Sequence, residues 1–357
     1  MRILTFIIHQ LSRLRLLLYK CKILKTHSFD IPIISVGNIE HGGTGKTPMV
    51  AWLVEHLTCE GYNKKVCVIS RGYGRKSNQT IIVNNNNIDQ IGDEPFTLIN
   101  ENPNVLMVIS NNKVEAINIA IRTLNIDVII LDDGFQSIYI KRDLDIVMVN
   151  NTQKKNINLT REPFLALQRA DVIIEKPSSG FPFNNANYKI LDSLGTVGCI
   201  PKIILRPNAE NLIENNYWAR DSQNPTIRPK EQDVHRVVGV CGIANPLSFK
   251  ETVEMVFKSP LDSFLNKWPR DIFFNMEELI TYNDHYNYSE ADMEHIYQRM
   301  EFHGCKNIIT TSKDYYKLEA LNKKQVKIYK LRMKLHFNWG KNDNDSEQMD
   351  QLLKKVM

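Results

Sequence analysis

From residue 31 onward the chain alternates short apolar runs with segments of helical periodicity. Ile31–Val36, Lys65–Ser70, Ile81–Val83, Val105–Ile109, Asp127–Leu131, Leu144–Val149 and Val172–Ile174 read as strands. Most of these runs are continuously apolar, the pattern of strands covered on both faces. Pro48–Thr58 and Lys113–Leu124 read as helices between them. Strands alternating with helices imply an α/β fold built on a doubly wound parallel sheet. Residues 183–232 carry several Asn and Pro and weaker periodicity, read as a strand, a loop and a linker. A second α/β pattern then begins: strand Arg236–Val240, helix Pro246–Phe257, strand Asp271–Phe274, helix Ser289–Phe302 and strand Asn307–Thr310. The expected boundaries are a large α/β domain over 29–200, a linker over 201–234 and a smaller α/β domain over 235–357.

Residues 1–28 stand apart. Ile3, Leu4, Ile7, Ile8, Leu11, Leu14 and Leu18 recur on one face of a helix, and Arg2, His9, Arg13 and Lys20 fall on the other. Charge sharpens this picture. The chain has 45 Lys+Arg against 40 Asp+Glu, a net of +5. Six of the basic residues (Arg2, Arg13, Arg15, Lys20, Lys22, Lys25) precede the first acidic one, Asp30, so the remainder is nearly neutral. A basic segment on a neutral body points to one anionic surface rather than to nucleic acid. The longest uncharged stretch, Ile3–Ser12, is too short to span a bilayer, which needs about 20 residues. The segment therefore reads as an interfacial helix on an anionic membrane, weighed against a helix docked on the protein's own core. Six scattered cysteines without a C-x-x-C pair argue against a zinc site or a disulfide framework.

The chemistry concentrates at strand ends. "SVGNIEHGGTGKTP" places Gly42, Gly43, Thr44, Gly45, Lys46, Thr47 and Pro48 between a strand and a helix, the context of a phosphate-binding loop. Glycines let backbone N–H groups converge on phosphate oxygens, and the helix N-terminus favours anions. Lys46 is expected to reach the β/γ-phosphates and Thr47 to bind Mg²⁺. "DVIILDD" ends an apolar strand on Asp132 and Asp133, a Walker B arrangement for the metal. A guanine-specific N-K-x-D motif is not formed by "TSKDY", which favours ATP. Asp93 and His285 are candidates for a base or orienting group, and Arg71, Arg75 and Arg161 for binding an anionic acceptor. The fold class is thus a P-loop NTPase-like α/β/α sheet with a second, smaller α/β domain.

Taken together, "SVGNIEHGGTGKTP", "SRGYGRK", "GDEP", "DDGFQ", "RDLDIV", "REP", "GIANP", "DHY" and "TSKD" resemble, in this order, the tetraacyldisaccharide 4′-kinase family of lipid A biosynthesis. The resemblance runs from the basic helix to about residue 318. It implies transfer of the ATP γ-phosphate, with Mg²⁺, to the 4′-hydroxyl of a tetraacylated glucosamine disaccharide 1-phosphate at the cytoplasmic face of the inner membrane. It implies Asp93 as acceptor base paired with His285. It further implies Asp132, Asp133 and Gln136 around metal and γ-phosphate, and Glu162 as a further active-site carboxylate. No protein partner is implied. The chain departs from the family pattern at Ser137, usually His; at "KKNINLT" before "REP", usually rich in Pro and Gly; and at Lys113, usually Arg. A membrane-surface ATPase switch of the ParA/MinD kind is the alternative, but it has a lysine where this chain has His41 and leaves "GDEP" and "DHY" unexplained. A nucleotide-binding protein with a degenerate site is a third reading, opposed by the intact Lys46, Thr47, Asp132 and Asp133.

Overall fold

The computed structural model describes residues 2–40, 43–59, 61–84, 88–150, 160–176, 202–204, 234–258, 273–332 and 344–357. The chain divides into two units, Met1–Arg206 with Leu335–Met357, and Pro207–Lys334.

The first unit opens with helix α1 (Arg2–Lys20), followed by β1 (Ile33–Asn38), α2 (Lys46–Thr58), β2 (Val66–Ser70) and β3 (Ile81–Ile82). Next come α3 (Ile88–Ile91), α4 (Asp93–Glu101), β4 (Leu106–Ile109), α5 (Lys113–Thr123), β5 (Val128–Asp132), β6 (Leu144–Asn150), β7 (Val172–Lys176) and β8 (Lys202–Ile204). The sheet order is β3-β4-β2-β5-β1-β6-β7-β8. All neighbours are parallel except β3 against β4. Successive side chains on a strand face opposite ways. Ile34, Val36, Val68 and Ile130 therefore join α2 in one core layer, and Ile33, Ile69, Ile129 and Leu131 join α5 in the other. This two-sided burial is why the strands read as unbroken apolar runs. The chain leaves β1 toward β2 but leaves β6 toward β7, so the winding reverses beside β1, where open sheets bind ligands.

The link from β5 to β6 crosses over β1 at close range. A Cβ on Gly37 would lie 2.7 Å from the Phe135 nitrogen and 3.1 Å from its Cα. That crossing explains the glycine in "SVGN".

The second unit contains β9 (Val234–Cys241), α6 (Pro246–Lys258), β10 (Phe273–Thr281), α7 (Glu290–Phe302), β11 (Asn307–Thr311), α8 (Ser312–Ala320) and β12 (Lys327–Leu331). Its strands form a parallel sheet in the order β10-β9-β11-β12. Phe249 and Val253 of α6 cover one face, and Met293, Ile296 and Met300 of α7 the other.

Two expectations differ from the outcome, and the strand expected within 183–232 is present. The strand expected at Asp271–Phe274 runs on to Thr281, with a register shift between Met276 and Glu278. Most of 183–232 lies outside the described residues; within it, β8 adds the outermost strand of the first sheet. The helix Asn344–Val356, α9, falls with the first unit rather than with residues 235–334. Its Met349 and Leu353 are fully buried in the apolar layer that holds Val50, Leu53 and Leu57 of α2. Asp350 accepts hydrogen bonds from Tyr62 Oη at 2.9 Å and pairs with His56 Nε2 at 3.0 Å. An amphipathic stripe shows that a helix docks, but not on which sheet.

Candidate active site

The phosphate loop is built from the end of β1. Gly45 is left-handed at φ 91° and precedes α2, whose first residue is Lys46 and which has no side-chain N-cap. A helix start leaves backbone N–H groups without intrahelical partners, which suits an anion. Thr44 is buried and accepts from Asn38 Nδ2 at 2.9 Å, tying the loop to the strand. Gln136 Nε2 donates to the Asn38 carbonyl at 2.8 Å. A Cβ on Gly43 would meet nothing within 4 Å, so the loop surface is open there. Gly42 lies outside the described residues.

β5 pairs directly with β1, matching Val36 with Asp132. Thr47, Ser70, Glu94, Pro95 and Asp132 line one pocket, whose apolar wall includes Val50, Val68, Leu98 and Met107. Ser70 Oγ donates to Asp132 Oδ2 at 2.8 Å. The other oxygen, Oδ1, is buried with no hydrogen-bond partner. Burial pushes the Asp132 pKa up, against the Ser70 hydrogen bond and the Lys113 charge.

Asp133 has a different setting. Its backbone is left-handed at φ 50°. Arg161 Nη1 reaches both carboxylate oxygens at 3.0 Å, and Lys46 Nζ lies 3.7 Å from Oδ1. Burial opposes ionisation here too, but the Lys46 and Arg161 charges outweigh it and hold the pKa below the ordinary carboxylate range. Lys113, fully buried, donates to the Asp132 carbonyl at 2.7 Å and the Asp133 carbonyl at 2.6 Å. It fastens the turn that carries both carboxylates.

The remaining candidates have separate settings. Asp93 is the first residue of α4, after Gly92 at φ 90°, and is buried next to Glu94 and Pro95 of the pocket. Arg161 is laid beside the loop by its N–H, which donates to the Ile39 carbonyl at 2.7 Å. Glu162 is buried on Arg169, with contacts of 2.7 and 3.2 Å, and Arg169 stacks on Phe135 at 4.2 Å. Arg71 follows β2 and is exposed. Arg75 folds back on its own loop, donating to the Gln79 carbonyl at 2.6 Å. His285 belongs to the second unit, left-handed at φ 58°. Among the described residues, no group of three or more His, Cys, Asp or Glu side chains forms a metal cage.

The motifs alone assign no role to Ser70, Asn38, Glu94 or Arg169, and mark Lys113 only as a departure from the family. Ser70 becomes visible once β2 is known to neighbour β5, because the pairing of Ile69 with Leu131 sets Ser70 beside Asp132.

The sequence profile of the tetraacyldisaccharide-1-P 4′-kinases, LpxK, matches residues 1–355. The chain belongs to the tetraacyldisaccharide-1-P 4′-kinase family. A tetraacyldisaccharide 4′-kinase of Pelobacter propionicus is 30% identical over 325 residues, covering 88% of this chain and 81% of the relative. One from Geobacter metallireducens is 31% identical over 318 residues, covering 86% and 84%. A crystal structure of LpxK from Aquifex aeolicus, in an "apo" form in complex with ATP, superposes with a TM-score of 0.69. It covers 99% of this chain and 97% of that one at 24% identity. This likeness supports the P-loop kinase fold. Family membership decides for the kinase over the ATPase switch. The reaction is phosphorylation of the 4′-hydroxyl of a tetraacylated disaccharide 1-phosphate in lipid A biosynthesis.

Proposed function

We propose that the first unit carries out this phosphoryl transfer from ATP, with the β- and γ-phosphates on the α2 N-terminus and the acceptor hydroxyl beside Asp93. The observation that carries the proposal is the pocket in which Thr47, Ser70, Glu94 and Asp132 meet at an uncapped helix start. The buried, unpartnered Asp132 Oδ1 fits a divalent cation, since a buried carboxylate oxygen calls for a positive partner. Thr47 and Asp132 would hold Mg²⁺, with Asp133 close by; when bound, the ion neutralises charge on the phosphates. Lys46 and Arg161, both on Asp133, are the cations available to the transferred group, and Gln136 and the loop glycines shape its surroundings. Asp93 takes the proton of the sugar hydroxyl as the new O–P bond forms and the bond to the leaving ADP breaks. Arg71 and Arg75 serve the anionic acceptor. Glu162 acts by fixing Arg169 under the β5–β6 link. The family resemblance also gives His285, in the second unit, a role in the transfer.

The acceptor is a lipid, and α1 provides a way to reach it. Leu11 and Leu14 of the apolar side are exposed, as is Leu17 beside it, whereas His9, opposite Leu11 and Leu14, bonds to Thr160 Oγ1 at 3.0 Å. An apolar face turned to solvent favours the interfacial helix over one docked by that face on its own core. No helix among the described residues is long and apolar enough to cross a membrane. The proposed location is the cytoplasmic face of the inner membrane, held by α1 on anionic lipid.

The test is Asp93→Asn, assayed with ATP, Mg²⁺ and the disaccharide 1-phosphate. Loss of at least about 100-fold in kcat with ATP affinity retained is expected. Wild-type turnover would remove Asp93 from the role of base.

A further inference from the structure

The loop that carries His285 joins β10 to α7, and its backbone is not relaxed. His285 sits at φ 58°. Histidine tolerates this region better than most residues, but a left-handed non-glycine residue still needs its surroundings to hold it. Two contacts from α8 hold its neighbours. Lys313 Nζ lies 2.6 Å from Asp284 Oδ1. Lys317 Nζ donates to the Tyr286 carbonyl at 2.9 Å. Spaced four apart, the two lysines share one face of the helix and grip the residues on either side of His285. Asp284 also faces the imidazole, with His285 Nε2 3.9 Å from the oxygen that Lys313 holds.

The helix is itself fixed. Asp314 is fully buried and accepts from the Gly242 N–H at 2.8 Å and from Thr311 Oγ1 at 2.8 Å. Its position ties α8 to the end of β9, so the lysines reach the loop from a rigid base. Behind the loop, the rings of Tyr282, Tyr286 and Tyr288 pack with centroids 4.6 to 5.4 Å apart.

We propose that Lys313 and Lys317 are positioning residues for His285: Lys313 orients it through Asp284, and Lys317 holds its strained backbone through the Tyr286 carbonyl. This rests on the reading that His285 serves the phosphoryl transfer. The role assigned to "TSKD" is thereby to aim the "DHY" loop rather than to touch nucleotide.

The experiment measures kcat and KM for ATP and for the disaccharide 1-phosphate in Lys313→Met, Lys317→Met, His285→Ala and the combined variants. Each lysine variant is expected to lower kcat by about tenfold or more with KM for ATP unchanged. In the His285→Ala background the same substitutions are expected to add less than about twofold, since they act through the missing side chain. Lys317→Arg keeps a charged donor to the carbonyl and is expected to recover most of the loss, separating a fold defect from lost positioning. If His285→Ala impairs turnover but the lysine variants do not, the proposal fails and the role of His285 stands. Lysine losses that multiply with His285→Ala also overturn it. Wild-type turnover in His285→Ala removes His285 from the mechanism and the proposal with it.

Discussion

Lys113→Met separates two effects that the wild-type side chain combines. The ammonium is fully buried and donates to the carbonyls of Asp132 and Asp133. Burial lowers its pKa from 10.5 to about 8, although the Asp132 and Asp133 charges pull the other way. That displacement corresponds to ~3 kcal/mol of disfavoured charge. Methionine removes this cost, but it also strips two partly buried carbonyls of their donor, at about 1–2 kcal/mol each. The effects are similar in size and opposite in sign, so net stability at neutral pH should change by less than about 2 kcal/mol. The pH dependence does not cancel. The folded pKa lies below the unfolded one, so between pH ~8 and ~10.5 the unfolded chain keeps a proton that the folded chain has released. Wild-type stability therefore rises relative to the variant by up to ~3 kcal/mol across that window, and not below it. Urea unfolding of both proteins at about pH 7, 8.5 and 10 measures this difference. Parallel profiles would refute the buried, depressed lysine. Turnover provides a second readout: with its turn unpinned, the variant is expected to lose about tenfold or more in kcat.

Gly37→Ala drives a Cβ into the Phe135 backbone, which cannot swing away as a flexible side chain would. It should cost about 1–3 kcal/mol and lower ATP affinity by shifting the loop, as read by thermal unfolding and nucleotide titration. Leu353→Ala opens a cavity in the layer behind α2. A loss of about 2–4 kcal/mol is expected in thermal unfolding, and an unchanged Tm would place α9 elsewhere. Serine at Leu11, Leu14 and Leu17 together should weaken binding to anionic lipid vesicles by at least about 100-fold, each leucine contributing about 1.5–3 kcal/mol when buried. Unaltered sedimentation with vesicles would return α1 to a role within the protein.

Much of the sheet was legible because its strands are buried on both faces, so each stands out as an apolar run bounded by polar loops. The helix Asp93–Glu101 was harder. Its first turn reads "GDEP", a loop signature, and only the proline tolerated near a helix start reconciles the two. The full length of β10 is hidden in the sequence because the strand lies at the edge of the second sheet. Glu277 and Glu278 pair there with Arg236 and Arg299 rather than entering a core, so the strand looks like a polar loop. The loop lysine, the threonine and the aspartate pair could be named from motif and spacing. Their divided settings could not. Asp132 and Asp133 are neighbours in sequence, yet one is buried with an open oxygen and the other is clamped by two cations. That contrast depends on which strand lies beside β5 and on the left-handed turn at Asp133. Strand order is a long-range property, and local periodicity does not encode it.

The placement of α9 has a consequence for biogenesis. The first unit is interrupted in sequence by the whole second unit, and its core takes Met349 and Leu353 from beyond that interruption. Domains emerging from the ribosome tend to fold in order, N-terminal first. Here that order cannot be completed. The nascent phosphate-loop unit must wait, with the α2 layer unsealed, while the intervening unit is translated. Sealing of the α2 layer is thus tied to synthesis of α9, and a chain that stalls before it leaves apolar surface of that layer uncovered.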